Sequence, residues 1–185
     1  MSTGTGTIEQ AIPTGSYAVD PVHSSVGFAV RHAGATTYRS GFKRSEARLT
    51  GGEQPSLEGT VEVASIDIPE EQLKGHLLSP DFFDAERHPT LRFESSELEV
   101  AEDGSVSLRG ELEIRGRRHE VSATGRFGAG GEYLDGSSRV GLSLAVGVDR
   151  RDFGLDWNAE LPSGGLALEF DVEIAVELQF VKEGE

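Results

Sequence analysis

The segment LALEFDVEIAVELQF, residues 166–180, alternates apolar and polar side chains over its whole length. Its apolar residues all fall at even positions, namely Leu166, Leu168, Phe170, Val172, Ile174, Val176, Leu178 and Phe180. A period of two is typical of a strand with one buried face and one solvated face. At about 3.3 Å per residue this strand would be roughly 50 Å long, so we expect it to coil and bend as strands do around a barrel.

The same alternation recurs along the chain. It is found in SSVGFAVRH, SVSLRGELEIR, HEVSATGRF and SRVGLSLAVGV, which are residues 24–32, 105–115, 119–127 and 138–148. Short Gly-rich and Asp-Gly turns separate these segments, as they do in hairpins of antiparallel strands. No long helical pattern is available for parallel crossovers. The chain is therefore predicted to be all-β, with about eight strands, and a sheet of that size hides its apolar face by closing on itself.

One segment changes phase. In LRFESSELEV, Leu91 and Phe93 are odd whereas Leu98 and Val100 are even. A single strand keeps both pairs on one face only if it contains an extra residue, so the sequence predicts a β-bulge between Ser95 and Glu97.

Helix is predicted in one interval only. Pro69 opens PEEQLKGHLL, with acids in the first turn, and Ser79 followed by Pro80 reads as the N-cap of a second short helical turn. The stretch SPDFFDAERHPTLRFES, residues 79–95, then forms a short lid that carries Phe82 and Phe83 between two strands.

Composition excludes several classes of protein. The chain has 17 basic and 32 acidic residues, a net charge of −15, which disfavours nucleic acid and anionic membrane surfaces as partners. It has no cysteine, and its histidines lack the spacing of a metal site, so no metal or other cofactor is predicted. No apolar run is long enough for stable membrane insertion. Residues 1–14 are predicted to be a flexible tail without a secretory signal, which favours a cytoplasmic location, and residues 15–183 a single domain.

Four motifs, YAVDPVHSSVGFAVRH, SPDFFDAERHPTLRFES, LEIRG and DRRDFGLDWN, resemble the YceI family of lipid-binding, lipocalin-like barrels. The resemblance covers nearly all of residues 16–182. It implies an extended antiparallel β-barrel that holds a polyisoprenoid or similar lipid chain in its lumen, without catalytic residues, and often as a homodimer.

With this resemblance, the inward-facing apolar side chains become candidate ligand contacts. They are Val26, Phe28, Val30, Phe42, Phe82, Phe83, Phe93, Leu112, Ile114, Leu142, Leu144, Phe153, Trp157, Phe170 and Val172. On pattern alone, the same side chains could simply fill the core.

Three functions stay open. The first is a protein that carries or stores a long apolar ligand, such as a polyisoprenoid, an isoprenoid quinone or a fatty acyl chain. The second is a ligand-free barrel with a stress-related or partner-binding role, which predicts a filled lumen or an exposed apolar patch. The third is an enzyme acting on an apolar substrate. It needs ionisable inward residues, and the inward positions are nearly all apolar. Ser24, His23 and Asp20 do not suggest a triad, because adjacent strand residues point to opposite faces.

Overall fold

The computed structural model describes residues 11–184 and contains ten strands, one α-helix and three short 3₁₀ turns. The strands are β1 Gly15–Val19, β2 Ser25–His32, β3 Thr36–Phe42, β4 Ser45–Gly51, β5 Ser56–Glu62, β6 Thr90–Val100, β7 Ser105–Ile114, β8 Arg117–Glu132, β9 Ser138–Asp149 and β10 Leu168–Lys182. The helix α1 is Glu71–Leu78, and the 3₁₀ turns are Pro21–His23, Val63–Ser65 and Arg150–Phe153.

The ten strands close into an antiparallel barrel with eight strand positions. Strand β10 pairs with β1 near its C-terminal end and with β2 along the rest, so β1 and β2 lie end to end. In the next position, β4 pairs with β1, and β3 pairs with β2. Two strand pairs thus share one position each, and the predicted all-β barrel of about eight strands is confirmed.

The bulge expected in β6 is present. The pairing with β7 shifts register between Ser95 and Glu97, which face Gly110 and Arg109. Because of this shift, the odd-numbered residues before the bulge and the even-numbered residues after it both face the barrel interior. The hydroxyl oxygen of Ser95 accepts a hydrogen bond from the backbone N–H of Leu57 on β5, at 2.9 Å, so the bulged strand stays tied to its other neighbour.

The first predicted helix is present as α1, and Glu70 is its N-cap. The carboxylate of Glu70 accepts hydrogen bonds from the backbone N–H groups of Gln72 and Leu73, as an N-cap does. The prediction for Ser79 was wrong: Ser79 is the C-cap of α1, and its hydroxyl donates to the carbonyl of His76 at 2.6 Å. Residues 80–83 form turns, not a second helix. Among the described residues, no helix is long and apolar enough to cross a bilayer.

The barrel interior has two unlike ends. We call the end nearest the start of β9 and the last residues of β10 the packed end, because a continuous cluster of buried side chains fills it. Three aromatic side chains, those of Tyr17, Phe127 and Phe180, take part in this cluster. The remaining members are Ile12, Leu49, Leu57, Leu98, Val106, Leu108, Ala123, Val140, Leu142, Leu144 and Leu178.

Residues just before β1 also contact the barrel. Ile12 is buried in the packed end, its carbonyl accepts from the N–H of Gly52, and the Tyr17 hydroxyl donates to the carbonyl of Pro13. The single domain over residues 15–183 remains a prediction. The rest of the predicted flexible tail, residues 1–10, lies outside the described residues.

Candidate ligand-binding cavity

The other half of the interior, which we call the hollow end, contains a cavity of about 670 Å³. It is bounded by the end of β9, the start of β10, the β2–β3 hairpin, α1 and the segment that follows the turn Arg150–Phe153. A volume of this size lies within the usual range for small-molecule pockets. Its wall is mainly apolar side chains.

Most of the predicted contact residues line this cavity. Those on strands are Val26, Phe28 and Val30 of β2, Phe42 of β3, Phe93 of β6, Leu112 and Ile114 of β7, Leu144 of β9 and Val172 of β10. Those on connecting segments are Phe82, Phe83, Phe153 and Trp157. The structure thus brings together side chains from six strands and two connecting segments. Whether they contact a ligand remains a prediction.

Two predicted residues do not line the cavity. Leu142 does face inward, but it is 1% exposed and lies in the cluster of the packed end. Phe170 falls where the β10–β2 pairing shifts register, between Leu168 and Val172. Its ring packs instead against the guanidinium groups of Arg150 and Arg151, whose Cζ atoms lie 4.7 and 4.2 Å from the ring centroid. Neither side chain lines this cavity, and whether either contacts a ligand remains a prediction.

Phe82 and Phe83 approach the cavity from opposite sides of a tight turn. The backbone N–H of Phe83 donates to the carbonyl of Leu77, and that of Phe82 to the carbonyl of Ser79. Asp84 follows with a φ of 50°, in the left-handed region that non-glycine residues seldom adopt. The turn is therefore held by backbone hydrogen bonds, and both aromatic rings line the cavity.

The aromatic side chains form two groups around the cavity. On one side, the ring of Phe42 lies 5.9 Å from the rings of both Phe28 and Phe83. On the other side, the ring of Trp157 lies 5.5 Å from Phe82 and 4.6 Å from His76. These separations are typical of aromatic pairs that stabilise each other. Both groups belong to the hollow end, so the aromatic side chains there stand along the wall and do not fill the centre.

The position of the Phe93 ring depends on a glycine, Gly110, on the neighbouring strand β7. A Cβ atom at Gly110 would lie 2.6 Å from Cζ of the Phe93 ring, which is closer than two carbon atoms can pack. The ring occupies the space that the missing side chain leaves. Gly59 of β5 also lines the cavity and adds no side chain to it.

Several lining residues were missed. Val146 and Val148 continue the even phase of Leu144 on β9, and Ile174, Val176 and Leu178 continue that of Val172 on β10. The alternation itself was enough to find them. Leu73, His76 and Leu77 on α1 also line the cavity, although no residue of this helix is buried. Their role depends on where the helix lies, for which the sequence carries no signal.

The environment of Arg150 differs from that of its neighbour Arg151. Arg151 pairs with a carboxylate, that of Asp149 at 2.6 Å, but Arg150 is 5% exposed and lines the cavity. Its guanidinium donates to four backbone carbonyls, those of Leu155, Trp157, Leu168 and Glu169. Burial lowers its pKa, although an arginine stays charged in proteins.

Comparisons with known proteins agree with this architecture. A UPF0312 protein of Staphylococcus epidermidis is 27% identical over 166 residues, which cover 87% of this chain and 94% of that protein. The structure of BcnA from Burkholderia cenocepacia has a TM-score of 0.74 at 20% identity, covering 87% of this chain and 98% of that one. A polyisoprenoid-binding domain from Saccharophagus degradans, implicated in plant cell wall breakdown, has a TM-score of 0.67 at 12% identity, covering 90% and 98%.

The family model that matches this chain is that of the YceI-like domain, and the match spans residues 17–180. These residues include every strand of the barrel except the first two positions of β1 and the last two of β10, together with all the connections that line the cavity. The chain therefore belongs to the family of YceI-like domains.

Proposed function

We propose that this protein binds a long apolar chain, such as a polyisoprenoid, an isoprenoid quinone or a similar lipid, in the cavity of the hollow end. The observation that carries the proposal is an interior space of about 670 Å³ with a mainly apolar wall. Burial of each CH₂ group in such a space contributes about 0.8 kcal/mol, so a chain of many such groups binds without directional contacts. The name of the Saccharophagus degradans domain supports a ligand of the isoprenoid class.

The cavity does not support the ligand-free alternative in the form that predicts a filled lumen. A cluster of buried side chains fills the packed end, whereas the same barrel leaves a large space at the hollow end. Family membership and the binding domain among its structural neighbours also favour binding over catalysis.

The test is native mass spectrometry of freshly purified protein, followed by solvent extraction of whatever it releases. We expect a discrete apolar adduct at about one per chain. Stripped protein should then take up prenyl or acyl chains from a panel of such probes. An absence of adduct, together with failure to take up any member of the panel, would refute the proposal.

Carriage or storage of the ligand, a homodimer and a cytoplasmic location remain predictions. Light scattering after size-exclusion chromatography, over a range of protein concentrations, tests the homodimer directly. Transfer of bound probe to acceptor vesicles distinguishes a carrier, which releases its ligand, from a protein that stores it.

A further inference from the structure

Among the described residues, one buried cation, Arg150, lines the cavity. Arg150 is 5% exposed, and its Cζ atom lies 5.9 Å from the ring centroid of Phe82, which in turn lies 5.5 Å from that of Trp157. All three residues line the cavity. The guanidinium group therefore belongs to the wall that Phe82 and Trp157 form at the hollow end.

This guanidinium has one hydrogen-bond donor left over. An arginine has five N–H groups. Nε–H donates to the carbonyl of Glu169, both N–H groups of Nη1 donate to Leu155 and Trp157, and one N–H of Nη2 donates to Leu168. The second N–H of Nη2 has no acceptor in residues 11–184.

The positive charge also lacks a direct counter-ion. Asp149 and Asp156 lie near enough for their charges to favour the cation, but in residues 11–184 all of its hydrogen bonds go to backbone carbonyls. Removing a cation from water is costly unless an anion or further hydrogen bonds compensate it. An oxygen acceptor from outside the chain would satisfy the remaining donor, and an anionic one would also balance the charge.

The shape of the interior decides which end of a ligand would meet Arg150. Side chains close the packed end, so a long molecule entering from the hollow end inserts its apolar end first. Its other end then comes to rest near the wall of Phe82, Trp157 and Arg150.

We propose that Arg150 is a specificity-determining residue that selects apolar chains ending in an oxygen acceptor, best an anionic carboxylate, and holds that end at the hollow end of the barrel. This inference rests on the proposed function, because it names the chemistry of the ligand that the cavity takes. It predicts discrimination between chains of equal length and width by their terminal group.

The first experiment uses the unaltered protein, stripped of ligand. Geranylgeranoic acid, geranylgeraniol and the corresponding hydrocarbon are supplied in turn at neutral pH, with the free concentration of each probe measured. The expected order of affinity is acid, then alcohol, then hydrocarbon. We expect the acid to bind about tenfold more tightly than the hydrocarbon, which corresponds to about 1.4 kcal/mol.

The outcomes separate this inference from the proposed function. Equal affinity for acid and hydrocarbon would overturn the role of Arg150 and leave the apolar cavity as a binding site. If the protein takes up none of the probes, both the proposed function and this inference are overturned.

The second experiment compares Arg150→Met with Arg151→Met. Both variants remove one positive charge from adjacent positions, but Arg151 is exposed and pairs with Asp149. We expect the tenfold ratio between acid and hydrocarbon to fall to about one in Arg150→Met and to persist in Arg151→Met. A purely structural arginine would weaken both probes alike and leave their ratio unchanged, which contradicts the inference. If Arg150→Met does not fold, the unaltered protein decides alone.

Discussion

The two ends of the barrel interior are built from the same strands by the same alternation, yet one is solid and the other is hollow. At the packed end, Tyr17, Phe127 and Phe180 project into the centre and meet aliphatic side chains from the other strands. At the hollow end, aromatic rings stand along the wall, and Gly59 and Gly110 contribute no side chain to the centre. The difference teaches that close packing and empty interior space occupy separate parts of one barrel.

The sharpest test of this comparison removes the same side chain from each end. Leu142→Ala, at a position 1% exposed, should lower the free energy of unfolding by about 3–5 kcal/mol, because it leaves a cavity in close-packed surroundings. Leu112→Ala should cost only about 1–2 kcal/mol, since its partly buried side chain already borders empty space and has fewer contacts to lose. Urea denaturation measures both. Equal losses would mean that the hollow end is packed in solution.

Enlarging a side chain should also destabilise the packed end more than the hollow end. Val140→Phe enlarges a residue that is 5% exposed at the packed end, and overpacking there should cost about 1–3 kcal/mol. Val172→Phe places the same ring in the cavity and should change stability by less than about 1 kcal/mol.

The second variant also tests the site. A ring at position 172 takes up space that the ligand requires, so uptake of prenyl probes should fall at least tenfold while the protein stays folded. Normal uptake by a stable Val172→Phe variant would place the ligand elsewhere. Val140→Phe, where it folds, serves as the control and should bind normally.

The smallest expected effect concerns the carboxylates that brace each end. Hydrogen bonds from His23 and Arg139 lower the pKa of Asp20 to about 2, and those from the side chain and backbone of Arg151 lower that of Asp149 to about 2. Since both folded pKa values lie below the ordinary 3.8, each group stabilises the fold above about pH 3.8, and this contribution is lost as the pH falls toward 2.

The two carboxylates differ in what they connect. Asp20 reaches Arg139 across 119 positions of the chain, whereas Asp149 pairs with Arg151 two residues away. We expect Asp20→Asn to cost about 1 kcal/mol at neutral pH, Asp149→Asn less, and each variant to lose less stability than the unaltered protein on acidification. Thermal melts between pH 7 and pH 2 measure this. A steeper acid loss in Asp20→Asn would contradict the assignment.

Much of the fold could be predicted because it depends on neighbours along the chain. The alternation identified the strands and their inward faces, and the change of phase in β6 located the bulge at Ser95–Glu97. The sequence predicted Ser79 as the N-cap of a second helical turn, but Ser79 ends α1, and Glu70 caps the start of that helix. Capping residues look alike at the two ends of a short helix, and only the path of the backbone distinguishes them.

The sequence by itself determined that this chain forms a closed antiparallel barrel, and which side chains face inward, because strand periodicity is a local property. Only the tertiary structure decided which of those side chains leave a space between them. Leu142 and Leu112 have the same pattern and chemistry, but one meets the packed cluster and the other borders the cavity. Whether a space remains depends on the total volume of the side chains that all eight strand positions contribute at the same height along the barrel axis. For the same reason, no local pattern predicted the burial of Arg150. Its burial requires a later segment, residues 155–169, to fold over it.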